Sequence, residues 1–170
     1  MRNGIHVRRF VHPESVKSLR FRHRAEKKFA RLSIERVVAD HHLHATIVHH
    51  KDYPGSMRAL AHTMQTQPDT GDSLQHVEAL DAGAFGYSPI TKSTWFAIAL
   101  EGAALEGEYN HYGTALGMPQ RGDFVPHVTL FKVNDAVSPD TADEVGEWIR
   151  KNSPEEITLK PISVAWSVKD

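Results

Sequence analysis

Two short runs of this sequence carry the same chemistry. Leu43-His44-Ala45-Thr46-Ile47-Val48 and Pro126-His127-Val128-Thr129-Leu130-Phe131 each contain His-x-Thr followed by an aliphatic residue, with the histidines 83 positions apart. In an extended strand residues i and i+2 point to one face. His44 therefore projects with Thr46, and His127 with Thr129, while Ala45, Ile47, Val128 and Leu130 turn into packing. Imidazole titrates near about 6.5, so around neutral pH one histidine can be neutral while its neighbour is charged. Breaking a phosphodiester needs a base for the attacking oxygen and an acid for the leaving one. Two histidines on opposite sides of a phosphate share those roles without a metal. A threonine hydroxyl beside each can donate to a non-bridging oxygen, where charge builds in the transition state. The pattern predicts His44, Thr46, His127 and Thr129 as catalytic residues. Two ordinary half-buried strand histidines are the plain alternative, and the repetition in matched contexts weighs against it.

Both motifs fall in strands. Ile5, Val7 and Val11 alternate with His6, Arg8 and Phe10 as a first strand. Pro13-Glu14 opens a helix, with Phe21, Ala25, Phe29 and Leu32 as its apolar stripe and Arg20, Arg24, Lys27 and Arg31 as a parallel basic one. Strands are expected at about Leu43–His49, ending in the turn Lys51-Asp52-Tyr53-Pro54-Gly55, and at Leu74–Ala79 and Trp95–Leu100. Met57–Met64 reads as a short helix, Pro68-Asp69-Thr70-Gly71 as a turn, and Asp81–Ser93, rich in Gly and Ser, as a loop. Leu105, Tyr109, Tyr112 and Leu116 mark an amphipathic helix closed by Gly117 and Pro119, with both tyrosines in its core stripe. Val125–Lys132 is a strand, and Ser138-Pro139 starts a helix carrying Ala142, Val145 and Ile149. Two closing strands hold Ile157 and Leu159, then Ile162, Val164, Trp166 and Val168. Without regular strand–helix alternation the class is α+β. No linker or low-complexity stretch divides residues 1–170, which read as a single domain.

Composition narrows the rest. A chain of 170 residues that is 40% hydrophobic and 24% charged is in the range of ordinary globular proteins. Its longest apolar runs are far short of the about 20 residues of a membrane span, and Met1–His6 lacks the apolar core of a signal peptide. The absence of cysteine excludes disulfides, thiolate nucleophiles and Cys-ligated metals, and fits a cytoplasmic protein. Net charge is −1, yet residues 1–40 hold eleven Lys/Arg against four Asp/Glu. That asymmetry points to an anionic partner met at one place. The dense histidines His41, His42, His49 and His50 have no carboxylate at ligand spacing, so neither a metal nor another cofactor is expected.

The paired motifs, with Pro126 directly before the second, resemble the signature of the 2H phosphoesterase superfamily. The resemblance implies a two-lobed α+β fold, with pseudo-two-fold related antiparallel sheets around a central cleft that both motifs face. It also implies metal-independent cleavage of phosphodiesters or cyclic phosphates on ribose. The stretch Trp95–Leu130, and Lys51 just past the first motif, look similar to phage nucleases that degrade the cyclic oligonucleotide signals of CBASS immunity. The substrate expected on that branch is a cyclic or 2′,5′-linked oligonucleotide, met in the host cytoplasm. Hydrolysis of 2′,3′-cyclic RNA ends, or 2′-5′ RNA ligase-like processing, is the alternative within enzymes. A non-catalytic nucleotide binder is the alternative outside them, although arginine would serve a pure binder better than these histidines.

Aromatic side chains near the motifs can stack a base, which makes Tyr53, Phe124 and Trp166 candidate substrate-binding residues beside Lys51. Arg121 and Lys132 flank the second motif and are candidate phosphate neighbours. Of the basic helix stripe, at most one end reaches the cleft.

Overall fold

The computed structural model describes residues 2–53, 55, 56, 58, 61, 62, 65, 69–88, 92–118 and 124–169. Its strands are β1 (Arg2–Val11), β2 (Ile34–Val37), β3 (His44–Tyr53), β4 (Gln75–Ser88), β5 (Ser93–Leu100), β6 (His127–Val133) and β7 (Glu156–Lys169). The helices are α1 (Pro13–Ser18), α2 (Ala25–Lys28), α3 (Ala103–Ala115) and α4 (Pro139–Asn152), with a 3-10 turn at Arg20–Arg24 between the first two. The class is α+β, as the mixed order of strand and helix signals predicts.

The described strands form one antiparallel sheet in the order β2-β6-β3-β1-β7-β4-β5, and a further β5–β6 pairing closes it on itself. Two halves are visible in the ring: β3-β1-β7, and β4-β5-β6 with β2 alongside. They join through β4–β7 and through a single β3–β6 pair, Ala45 opposite Val128. The interior is the apolar face of each strand, with Ile5, Val7, Ile47, Ile98, Val128 and Leu130 buried and Phe96 stacked on Phe131 at 5.2 Å. Period-two alternation gives β1 this division directly: Ile5, Val7 and Val11 face inward, and His6, Arg8 and Phe10 lie on the more open side.

Several elements depart from their sequence signals. The helix expected after Pro13 is broken, because the 3-10 turn carries Phe21 and Arg22 inward together. Arg22 is fully buried, with its guanidinium on the carbonyls of Val38 and Leu19 and on the Asp40 carboxylate. The expected loop at Asp81–Ser93 is instead strand as far as Ser88. Its glycines serve the sheet: Gly83 lies under α4, and Gly86, at φ +78°, sits within the register shift between Ala84 and Tyr87. The two closing strands are one strand, which passes a register shift near Pro161. β3 runs through Tyr53 rather than ending before Lys51, and β2 had no sequence signal of its own. In α3, Tyr112 is core, whereas Tyr109 is half-buried and stacks on Phe124. The Met57–Met64 helix lies largely outside the described residues, and Pro54, Pro68, Pro119 and Arg121 lie outside them altogether.

Candidate active site

The β3–β6 seam brings the two motifs together. Ala45 and Val128 pair and are both fully buried, so the residues flanking them emerge on the opposite face. Antiparallel counting from that pair sets His44 on the Thr129 side and Thr46 on the His127 side. All four line one cavity of about 550 Å³.

The two imidazoles are held alike. His44 Nδ1 lies 2.6 Å from the carbonyl oxygen of His42, and His127 Nδ1 lies 3.0 Å from that of Val125. A carbonyl oxygen only accepts, so in each case Nδ1–H donates to a residue two positions back. The second ring nitrogen, Nε2, is then the one left for a proton in transit. Burial chiefly, with the charges of Arg8 and His127 adding, draws the His44 imidazole below its ordinary value, against an opposing effect of its bond to His42.

Strand β1 supplies a third histidine. His6 Nε2 lies 2.9 Å from Thr46 Oγ1, and its ring stands 5.0 Å from those of His44 and His49. Burial, then the neighbouring His44, His49 and Arg8, lower its pKa to about 4, so it is neutral around pH 7. Arg8 lines the cavity two residues on, with its buried Nε lacking a hydrogen-bond partner, and Arg36 of β2 lines it as well. The His127 side has aromatic walls. Phe85 stacks on the His127 ring at 4.6 Å, and Trp95 lines the cavity with Lys132 Nζ 5.4 Å from its ring centre.

The residues expected from the sequence to bind substrate lie elsewhere. Lys51 is exposed near the end of β3. Tyr53 is 8% exposed and packs edge-on against Trp166 at 5.8 Å and His50 at 5.6 Å. Trp166 is opposite Ile5 in the sheet. Phe124 lies flat on Tyr109 at 4.2 Å and borders a separate cleft of about 200 Å³. None of the four lines the cavity. Lys132 is ion-paired with Glu35. Sequence reasoning missed His6, Arg8, Arg36, Phe85 and Trp95. The β1 alternation carried a usable signal for the first two, whereas Phe85 was hidden in a segment that reads as loop. Among the described residues no three His, Asp or Glu side chains gather as metal ligands, and no helix is long and apolar enough to cross a membrane.

No protein-family model matches the chain, and no curated protein matches it. Solved structures do. A structure described as a phosphoesterase aligns over 100% of this chain and 91% of its own, at TM-score 0.63 and 14% identity. LigT of E. coli, complexed with 3′-AMP, aligns over the same shares at TM-score 0.63 and 16% identity. The chain has a LigT-like fold. Usb1 of Kluyveromyces marxianus is a more distant match, at TM-score 0.55 and 10% identity over 96% of this chain and 93% of its own. These identities are too low to carry residue roles, so the roles rest on the site itself.

Proposed function

We propose that this chain is a phosphodiesterase that hydrolyses ribonucleotide phosphodiesters, 2′,3′-cyclic or 2′,5′-linked, by paired-histidine acid–base catalysis. One observation carries the reading: two imidazoles on opposite sides of one β-bridge, each anchored through Nδ1, line the same cavity. His44 is the base, because its surroundings favour the neutral form. Its Nε2 takes a proton from water as the water oxygen bonds to phosphorus. His127 gives a proton to the ribose oxygen as the P–O bond breaks. Thr46 and Thr129 donate to the non-bridging oxygens, which requires His6 Nε2–H to donate to Thr46 Oγ1 and turn the hydroxyl proton outward. Arg8 and Arg36 offset phosphate charge, and Phe85 and Trp95 form the wall for a base. No step in this scheme calls for a metal. The LigT structure complexed with 3′-AMP supports a nucleotide as the class of ligand.

The test is product analysis in EDTA. The panel holds cyclic di- and trinucleotides, 2′,5′-oligoadenylate, and RNA ending in a 2′,3′-cyclic phosphate. Turnover is expected with EDTA present, falling about 10²–10⁴-fold in His44→Ala and in His127→Ala while circular dichroism is unchanged. Turnover of a cyclic oligonucleotide assigns the removal of immune signals, and turnover of the RNA end alone assigns RNA processing. Tight binding without turnover, or a strict need for added divalent metal, overturns the mechanism.

A further inference from the structure

Beside the catalytic cavity lies a second groove, of about 520 Å³. The partition between them is thin. On β1, Arg8 lines the cavity and lays its guanidinium over the Phe10 ring, 4.5 Å from the centre. Phe10 lines the groove and meets the His44 ring edge-on at 6.1 Å. On the other flank, His42 lines the cavity and His41 the groove, with ring centres 4.0 Å apart.

The groove has an apolar floor of Phe10, Pro13 and Val16 and a cationic rim of Lys17, Arg20 and Lys160. Its one carboxylate, Asp40, is already engaged. It is ion-paired with Arg22 and, at 3.6 Å, with Arg20 Nε, and is hydrogen-bonded to His23 Nε2 at 3.2 Å. What lines the groove is a half-buried aromatic ring among cations, next to His44. Cations that follow a phosphate backbone, with an aromatic face for a base, are how single-stranded nucleic acids are held.

We propose that this groove binds the nucleotide adjoining the scissile phosphate of a single-stranded oligoribonucleotide, with its base on Phe10 and its phosphate near Lys17, Arg20 and Lys160. The inference rests on the cavity being a phosphodiester site, and it gives that site a substrate class: a linear strand rather than a lone cyclic mononucleotide. It also gives part of the basic segment a use. Lys17 reaches the groove, and so does Arg20 beside Asp40, whereas Arg24 bonds Asn152 and Arg31 pairs with Glu144 away from it.

The test is fluorescence anisotropy on the full-length His127→Ala chain, which holds RNA without consuming it. Labelled RNAs of one, two, four and eight nucleotides are titrated at low and moderate salt. Affinity is expected to rise about tenfold from one nucleotide to two or four, with a steeper salt dependence for the longer strands. Lys17→Glu, Lys160→Glu and Phe10→Leu should each lose most of that gain. Lys151→Glu on α4 makes the same charge change away from the groove and should bind as the parent does. Lys17 and Lys160 are exposed, so their variants leave the core alone. Affinity that ignores length, or groove variants that behave like Lys151→Glu, overturn the proposal. Because binding is read without turnover, failure of the catalytic reading appears separately, as an unmodified chain that binds RNA but cleaves nothing.

Discussion

In the proposed mechanism His44 serves as a base only while unprotonated, and burial above all draws its pKa below the ordinary imidazole value. The acid limb of kcat/KM against pH should therefore fall below about 6.5. Arg8→Gln removes a nearby positive charge and should move that limb upward, besides weakening substrate binding. A limb that stays in place removes Arg8 from the electrostatics of His44. His6 makes a different prediction. Above about pH 6.5 its imidazole is neutral in folded and unfolded chains alike. Between that pH and about 4 the unfolded chain takes up a proton that the folded one refuses, so stability falls with pH across this window and levels off below it. The loss from this one side chain is on the order of 2 kcal/mol after allowance for its partial exposure. His6→Gln should remove that portion of the acid sensitivity, as read from urea unfolding midpoints at pH 7 and pH 5.

At the scale of elements, α4 is seated on β4 through a glycine. A Cβ at Gly146 would stand 2.6 Å from the Ala82 carbonyl oxygen, so Gly146→Ala forces backbone apart. The expected cost is about 1–3 kcal/mol in unfolding free energy. Because β4 carries Phe85 to the His127 ring, activity should fall as well. Gly107 on α3 has open space around an added Cβ, and Gly107→Ala should instead stabilise by about 0.5–1 kcal/mol. Two other glycines, Gly83 and Gly86, mark the limit of what the sequence discloses. The strands bearing the motifs are legible because alternation and a repeated His-x-Thr coincide. β4 is not, since Gly83 and Gly86 read as loop until the helix above and the register shift that use them are known. The four catalytic candidates were legible from local spacing alone. Arg8, Arg36, Phe85 and Trp95 join them only through strand pairings between distant segments, and Tyr53 and Phe124, though close in sequence to the motifs, are taken up by packing.

Across the whole molecule, Arg9 ties the ring to α3. It is fully buried, donates to both oxygens of Glu108 on α3, and also donates to the carbonyls of Ser73 and Lys160. Removing one partner strands a charge in the interior, so Glu108→Ala should cost about 3–5 kcal/mol by urea denaturation. The double change Arg9→Met with Glu108→Leu should cost less than Glu108→Ala alone. If the two cost the same, the ion pair is not what holds β1 to α3.

Ring closure also governs how this chain meets its own kind. An open sheet presents unsatisfied amides at its rims, where another molecule can add a strand and begin a fibril. Here β5 and β6 pair from Thr94 to Ala99, β3 meets β6 at Ala45–Val128 alone, and the strand terminal in the order, β2, is four residues long with Glu35 and Arg36 at its centre. At β2 a short, charged rim makes a poor template for an added strand, and β5 offers none, being covered by β4 on one side and β6 on the other.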